Sequence, residues 1–387
     1  MTYTPEPSPE NQLLLCVARR SIDAATSHKI RGLLTHGGLD WNYLFTTAVA
    51  HGVAALLAYH LKSVGGELVP SAVLAELQVR NQRYVEEYLF LTGHLAKIVG
   101  ALTDNDIPCL AFKGPTLAMV AYGDVALRQF ADLDILVHKH HLQRAKETLT
   151  REGFVPFSVL DAGREAGLLR FDNAYAFTND QSVIVDVHWR FAPLYFSLWL
   201  ETKEIWERAQ PLEIASRTVT TLSAEDLLLV LCCHGFTHEW ERLVWICDVA
   251  SLVEARNLDW DYVIAQAKRL GVLRIVLVGL LLAREAGASL PVQVSHRLER
   301  DRVARSVAGE IGSHLLEPQR TPVGRPQWLA RQLSMRERIR DKAKALWRLV
   351  LTPRAYDVTY ASVPKSLFFL YYLIRPIRMA RTIGGRL

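Results

Sequence analysis

Two aspartates share one face of a predicted strand near the middle of the chain. Asp132 and Asp134 alternate with apolar residues in segment 132–137, and a period of two is typical of a strand with one buried face. A third carboxylate, Asp186, lies in a second alternating segment, 183–190. Carboxylate oxygens are the ligands that Mg²⁺ prefers, so three aspartates on neighbouring strands would form a site for divalent cations.

Such a site could serve a phosphoryl transfer. Two divalent ions about 3.5 to 4 Å apart can stabilise the attacking and leaving oxygens of an in-line displacement. In this hypothesis Asp132 and Asp134 hold the ion that accompanies a nucleotide, and all three carboxylates hold the ion that activates an acceptor hydroxyl. Asp186 could also accept the proton of that hydroxyl. An isolated Asp-x-Asp pair is a weak signal, and the order of the surrounding segments is what favours a metal site.

A glycine turn precedes the acidic strand. Segment 107–112 is predicted to be a short strand that ends near Gly114, and Pro115 suits the first position of a helix because its missing N–H needs no partner there. We predict that this helix ends at Gly123. Free N–H groups at its N-terminus would suit a triphosphate near Gly114 and Thr116.

Two cations flank the turn and the acidic strand. Lys113 could place a positive charge beside the triphosphate, although a lysine at a strand end is often simply solvated. Arg128 could neutralise the charge that develops on leaving pyrophosphate, and its alternative role is an ion pair with Asp124 or Asp132. The predicted nucleotide-binding residues are therefore Lys113, Gly114, Thr116 and Arg128.

Histidines and an arginine are candidates for an acceptor cleft. His188 and Arg190 follow Asp186 on the same face of its strand, and His188 could instead be an ordinary buried histidine. His234 and His238 are four residues apart, on one side of a predicted helix. A zinc site there is conceivable, but the chain has no His-Glu-x-x-His arrangement and no second ligand pair at a usual spacing. Packing against the sheet is the alternative for both.

These segments resemble the DNA polymerase β-like nucleotidyltransferase superfamily, and within it a bacterial group of uncharacterised nucleotidyltransferase family proteins. The resemblance is carried by segments 107–114, 128–137, 186–190 and 227–248. It implies a small mixed sheet flanked by helices, the use of Mg²⁺, and transfer of a nucleoside monophosphate from a nucleoside triphosphate to an acceptor. Two Mg²⁺ ions are expected, and Mn²⁺ is a possible substitute.

The chain departs from the superfamily pattern at the glycine turn. Pro115 follows Gly114, where many members have a second small residue. The 18 residues from Gly114 to Asp132 also make a longer gap than in many members. We therefore expect metal binding at the aspartates more firmly than triphosphate binding at the turn.

Composition indicates a folded protein large enough for more than one region. The chain has 387 residues, of which 50% are hydrophobic and 22% charged. We predict an α+β fold in which a small mixed β-sheet nucleotidyltransferase core is flanked by mostly α-helical N- and C-terminal regions. The predicted regions are a helical N-terminal region at 1–106, the nucleotidyltransferase core at 107–205, a helical bundle at 206–316, and a linker with a basic tail at 317–387.

Several elements can be predicted within these regions. A helix is expected at 141–151, and a hairpin at 173–190 that turns near Asn179 and Asp180. Ser223 is a predicted N-cap for the first helix of the bundle.

The cysteines and the N-terminal stretch predict a cytoplasmic protein. The five cysteines are odd in number and include no Cys-x-x-Cys pair, which favours reduced thiols. Residues 1–12 are polar and rich in proline, without the basic start and apolar core of a signal peptide.

The C-terminal region is basic. Residues 331–387 contain thirteen Lys and Arg against three acidic residues, a net charge of +10 in a chain whose total is +5. Such a tail could contact nucleic acid, an acidic protein partner or an anionic membrane surface. Its apolar stretch 366–374 is too short to span a bilayer, which needs about 20 residues, but it could lie in an interface. We favour the alternative that a terminal helix packs its aromatics onto the core, with its arginines in solvent.

The sequence thus favours a Mg²⁺-dependent nucleotidyltransferase that moves a nucleoside monophosphate onto an unidentified small molecule or peptide and releases pyrophosphate. One alternative is a catalytically inactive nucleotide-sensing or protein-binding module with the same fold. Retention of all three aspartates speaks against it. A two-metal nuclease is a weaker alternative, and the sequence does not indicate an oligomeric state.

Overall fold

Most of the chain is described by a computed structural model. The described residues are 7–196, 200, 203–317, 325–360 and 363–384. The predicted linker and the polar N-terminal stretch lie partly outside them.

The described chain is largely helical. The helices before the sheet are α1 (Pro9–Val17), α2 (Ala24–His36), α3 (Trp41–Ala50), α4 (Ala54–Gly65) and α5 (Ser71–Thr103). Those among and just after the strands are α6 (Gly114–Leu117), α7 (Leu142–Arg151), α8 (Ala162–Phe171) and α9 (Lys203–Glu207). The next are α10 (Ala224–Thr237), α11 (Leu243–Ala255), α12 (Trp260–Leu270), α13 (Leu273–Glu285), α14 (Val292–Arg300) and α15 (Arg302–His314). The last are α16 (Arg325–Ser334), α17 (Ile339–Leu351), α18 (Ala355–Tyr360) and α19 (Tyr371–Gly384).

The strands form two sheets within the described residues. The larger sheet contains β1 (Cys109–Ala111), β2 (Asp132–Val137), β3 (Val155–Pro156), β4 (Ala174–Thr178) and β5 (Ile184–His188). Its order is β1-β2-β5-β4-β3, with β2 and β5 parallel and the other neighbours antiparallel. This mixed sheet among helices confirms the predicted α+β fold class.

The two faces of the larger sheet pack against different helices. One face is fully buried against α5 and α7 through Leu133, Ile135, Val185 and Val187. The opposite face carries Leu136, which joins the larger core formed by α1–α4 and α10–α15. Because side chains alternate along a strand, Asp134 lies on the same face as Leu136. The candidate site therefore lies on the side of the sheet that the helical core covers.

Two local predictions are confirmed. The helix after Gly114 continues through a π-helical turn and ends at Gly123, whose φ of +79° is unfavourable for residues with a β-carbon. The hairpin turns at Asn179, whose side chain accepts hydrogen bonds from the backbone N–H groups of Gln181 (3.1 Å) and Val183 (2.9 Å). The turn at Asn179 leads into β5, the strand that carries Asp186.

The segment before α10 differs from the prediction. Ser223 does cap α10, since its hydroxyl accepts a hydrogen bond from the Asp226 N–H at 3.2 Å. The preceding residues, however, form a separate antiparallel hairpin of β6 (Gln210–Ile214) and β7 (Arg217–Thr221). Its turn has positive φ at Ala215 (+49°) and Ser216 (+59°), where hairpins usually have Asn or Gly, so the sequence lacks the usual signal.

The basic tail packs onto the core, in part as predicted. Phe368 and Tyr371 bury their rings against Phe171 of α8, which confirms the docking of aromatics. The prediction that the arginines lie in solvent is wrong for Arg375, which is only 2% exposed and donates to the carboxylate of Asp357 at 3.2 Å. A buried carboxylate needs a cationic partner, and the arginine supplies it. The side chain of Arg381 lies outside the described residues.

Two further findings concern the whole described chain. All five cysteines are buried and free. No helix among the described residues combines the length and the hydrophobicity that crossing a bilayer requires.

Candidate metal centre

Two aspartates face each other across the parallel strands β2 and β5. Asp134 is the direct register partner of Asp186, and Leu136 is the partner of His188. One ligand atom from each of Asp134, Asp186 and His188 lies within 4.8 Å of the others. In the part of the chain that the structure describes, no other group of three His, Cys, Asp or Glu side chains meets this condition.

Hydrogen bonds orient the carboxylate of Asp134. Its Oδ1 atom lies 3.2 Å from Lys113 Nζ and 2.9 Å from His188 Nε2. The other ring nitrogen of His188 lies 3.4 Å from the side-chain amide of Asn173. With Nε2–H donating to Asp134, Nδ1 accepts from that amide, so Asn173 and Asp134 together fix the imidazole.

The three aspartates differ in their electrostatic surroundings. Burial alone would raise the pKa of Asp134, but Lys113 and His188 outweigh it and hold that pKa well below its usual value. Burial and the neighbouring Asp134 raise the pKa of Asp186. The same two causes raise the pKa of Asp132 to about 6. The site therefore contains one carboxylate that the fold stabilises as an anion and two that it does not.

The cluster differs in one member from the three aspartates predicted to bind metal. Asp132 is opposite Ile184 in the register and lies beside the cluster, whereas His188 is inside it. The two carboxylates are the oxygen ligands that Mg²⁺ and Mn²⁺ prefer, and His188, whose ring nitrogens are both hydrogen-bonded, orients one of them. Which of these residues bind metal stays a prediction.

Gly114 brings the loop after β1 against the start of β2. Its φ is +53°, and an added β-carbon would lie 2.9 Å from the carbonyl oxygen of Asp132. Thr116 is fully buried, and its hydroxyl has no hydrogen-bond partner among the described residues. Gly114 is thus required for the close approach, while triphosphate binding by these residues stays a prediction.

Arg128 makes a buried ion pair with Asp248 rather than with Asp124 or Asp132. Its Nε and Nη2 atoms donate to the two carboxylate oxygens of Asp248 at 2.7 and 2.9 Å. The hydroxyl of Tyr122 donates to the same carboxylate at 3.0 Å. The pair ties the loop before β2 to α11. The guanidinium of Arg128 already donates two hydrogen bonds to Asp248, and its role in nucleotide binding stays a prediction.

The remaining predicted cleft residues lie at the C-terminal end of α10 and just after β5. The rings of His234 and His238 on α10 are 4.6 Å apart, and both contact Trp245. Burial, and next Lys113, hold the pKa of His234 well below its usual value, so this face of α10 lies close to the site. Neither histidine belongs to a metal-binding group among the described residues. Arg190 donates to the Asp172 carbonyl at 3.0 Å, at the base of the hairpin.

Sequence reasoning missed two contributors to the site. Asn173 holds the ring of His188, and Asp248 neutralises Arg128. Asn173 was only the first residue of the predicted hairpin. Asp248 lay within segment 227–248, one of the four that carry the resemblance, but nothing local indicated its partner.

We predict that Asp132→Asn stabilises the metal-free protein at neutral pH. The pKa of Asp132 in the fold, about 6, exceeds its usual value, so the folded protein binds the extra proton and the ionised form costs stability above that pH. The variant should gain about 1 to 3 kcal/mol in free energy of unfolding at pH 7.5. The gain should shrink as the pH falls through 6 and vanish below the unfolded pKa of about 3.9.

Urea unfolding with a chelator, at several pH values, measures this difference. Asp180→Asn is the matched control, because Asp180 is an exposed aspartate in the turn between β4 and β5. A variant less stable than the parent at pH 7.5 would contradict the prediction.

The fold and the cluster together define an α+β nucleotidyltransferase-like protein, with paired carboxylates on the central parallel strands beneath a helical core. The chain belongs to a family described as uncharacterised nucleotidyltransferases, whose model matches residues 37–287. This match confirms the resemblance predicted from the sequence.

Two solved structures are similar to this chain. An antigenic nucleotidyltransferase-like protein from Paracoccidioides brasiliensis has 16% identity and a TM-score of 0.34, covering 53% of this chain and 96% of its own. The antibiotic-resistance factor ANT(2'')-Ia has 15% identity and a TM-score of 0.30, covering 58% of this chain and 96% of its own. Both TM-scores are below 0.5, so neither protein's properties are transferred to this chain. A comparison with curated proteins finds no match.

Proposed function

We propose that this protein is a Mg²⁺-dependent nucleotidyltransferase that transfers a nucleoside monophosphate from a nucleoside triphosphate to a hydroxyl-bearing acceptor and releases pyrophosphate. The observation that carries the proposal is the register of β2 and β5, which sets Asp134 directly opposite Asp186. The family match supports the reaction class. The acceptor is a small molecule or a peptide.

We propose different roles for the aspartates and for His188. Asp134 and Asp186 hold the metal, and Asp132, beside them, contributes to the ion that accompanies the nucleotide. Bound Mg²⁺ supplies positive charge where negative charge develops on the phosphate oxygens. His188 positions Asp134 through its 2.9 Å hydrogen bond. Mn²⁺ is an alternative ion because carboxylate ligands suit it as they suit Mg²⁺.

The surrounding cations are proposed to bind the triphosphate. Lys113 already lies 3.2 Å from Asp134, so its ammonium group is at the metal centre and within reach of a phosphate beside it. Gly114, Thr116 and Arg128 complete the proposed nucleotide-binding set. His234, His238 and Arg190 are proposed to line the acceptor cleft. Burial, and next the proximity of Lys113, lower the pKa of both histidines, and this proximity supports the role for them.

The test combines an assay of pyrophosphate release with a search for the acceptor. The protein is incubated with Mg²⁺, each nucleoside triphosphate and fractionated small molecules and peptides, and pyrophosphate release is recorded. Mass spectrometry then identifies any acceptor that gains the mass of a nucleoside monophosphate. Matching pyrophosphate release and mass gain supports the proposal.

The rival is a catalytically inactive nucleotide-sensing or protein-binding module with the same fold. Calorimetric binding of a nucleotide with Mg²⁺, without pyrophosphate release for any acceptor, favours this rival. Cleavage of an oligonucleotide panel would instead indicate a two-metal nuclease. A cytoplasmic location stays a prediction from the sequence.

A further inference from the structure

The last described helix, α19, exposes apolar side chains on its outer side. On α19, Leu373 and Ile377 are four residues apart and 58% and 56% exposed, with Tyr372 beside them. The opposite side of the helix carries Arg375 and Arg378, which both donate to the buried carboxylate of Asp357. An ordinary surface helix buries its apolar stripe and exposes its charges. In α19 the buried side combines Tyr371 with the two arginines, while Leu373 and Ile377 lie on the exposed side.

Helix α17 also exposes apolar side chains on its outer side. Its inner side buries Ala345 and Leu349. Its outer side exposes Ile339 (85%), Leu346 (41%) and Trp347 (67%), whose spacing places them on one side of a helix.

The two helices pack against each other. Arg375 donates to the carbonyl oxygens of Leu349 at 2.7 Å and Val350 at 3.1 Å, which fixes α19 on the end of α17. The inner side of α19 is thus occupied by Tyr371 and by the hydrogen bonds and ion pairs of the arginines, and Leu373 and Ile377 lie away from it. The exposed apolar residues of α17, of α19 and of the short 3-10 helix Lys365–Leu370 before α19 are together named the tail outer face: Ile339, Leu346, Trp347, Phe369, Tyr372, Leu373 and Ile377.

Exposed cations accompany the tail outer face. Arg338, Arg340, Lys344 and Lys365 are all exposed, within the region whose net charge is +10. An apolar face alone could bind many partners. An apolar face with Trp and Tyr side chains and surrounding cations matches a surface that is negatively charged outside and apolar inside, which is an anionic lipid bilayer.

We propose that the tail outer face binds the surface of an anionic membrane and lies in its interface without crossing it. Trp347 and Tyr372 lie at the level of the lipid headgroups, Leu373 and Ile377 reach the acyl boundary, and the cations contact anionic headgroups. The proposal is independent of the chemistry at the candidate metal centre.

Vesicle flotation with the full chain tests the proposal. Phosphatidylcholine vesicles with and without phosphatidylglycerol are the two probes. We expect binding to the anionic vesicles, at least tenfold weaker binding to the neutral ones, and weakening when NaCl rises from about 0.1 to about 1 M, which shortens the Debye length from about 10 to about 3 Å.

Two double variants with the same charge change provide the comparison. Leu373→Glu with Ile377→Glu adds two negative charges to the tail outer face, and we expect about a twenty-fivefold loss of vesicle binding, at about fivefold for each charge. Phe157→Glu with Val159→Glu makes the same change at residues 63% and 95% exposed elsewhere, and should leave binding unchanged. Arg340→Gln with Lys344→Gln, which keeps the apolar residues, should weaken anionic binding alone. Circular dichroism verifies that each variant is folded.

Several results would overturn the proposal. These are no binding to anionic vesicles, equal binding to both vesicle types, or equal losses in the two glutamate variants. Light scattering provides one more such result. If the parent is a dimer and the Leu373→Glu, Ile377→Glu variant is a monomer, a second copy of the chain covers the tail outer face.

Discussion

Asp186→Asn should abolish nucleotidyl transfer and leave the protein as stable as before or more so. Removing a metal-binding carboxylate from a phosphoryl-transfer site removes several kcal/mol of transition-state stabilisation, which is a loss of about 10³-fold or more in rate. The stability effect has the opposite direction, because burial and Asp134 raise the pKa of Asp186. Its ionised form therefore costs stability at neutral pH, and the amide does not.

Asp134→Asn should be equally inactive but less stable. Lys113 and His188 hold the pKa of Asp134 below its usual value against the effect of burial, so its ionised form contributes stability at neutral pH that is lost at low pH. The amide keeps the shape but not the charge, and Lys113, whose side chain is 16% exposed, loses its anionic partner.

The two variants can be compared in one experiment. Pyrophosphate release and urea unfolding are measured for the parent, both variants and Asp180→Asn, which removes an exposed carboxylate from the turn of the β4–β5 hairpin. Calorimetry with Mg²⁺ should show weakened binding in the two site variants alone. If Asp186→Asn keeps its activity while Mg²⁺ binding is lost, the metal centre is not the site of transfer.

Local pattern was sufficient to predict which acidic residues share a face. Alternation in segments 132–137 and 183–190 places Asp134 and Asp186 on the face away from Leu133 and Val185, because the period of a strand is fixed by backbone geometry. The register between the strands is not local. It pairs Asp134, and not Asp132, with Asp186, and a shift of two residues would have preserved the same face pattern.

The long-range contacts of the site residues could not be predicted from the sequence for a related reason. The contacts of Asp134 with His188 and of Arg128 with Asp248 join residues 54 and 120 positions apart. Such contacts depend on how α11 and the hairpin pack, which no segment encodes alone. The tail shows the same limit, since the apolar stretch 366–374 indicated docking but not the buried Asp357 that neutralises Arg375.

Asp248→Asn should be among the most destabilising substitutions in the chain. Asp248 is 1% exposed, and Arg128, 7% exposed, donates two hydrogen bonds to it. The amide leaves the guanidinium buried without a compensating charge, which typically costs about 3 to 5 kcal/mol in free energy of unfolding. Urea unfolding at neutral pH measures the loss. Glu207→Gln is the control, because the exposed Lys203–Glu207 pair should contribute no more than about 0.5 kcal/mol.

The double variant Arg128→Met, Asp248→Leu separates a structural role of Arg128 from nucleotide binding. Removing both charges leaves no uncompensated ion, so most of the stability lost in Asp248→Asn should return. If Arg128 also neutralises leaving pyrophosphate, the double variant should lose nucleotidyl transfer although it keeps its Mg²⁺ binding and most of the parent's stability. Transfer at the parent's rate would show that Arg128 serves only to hold the loop before β2 against α11.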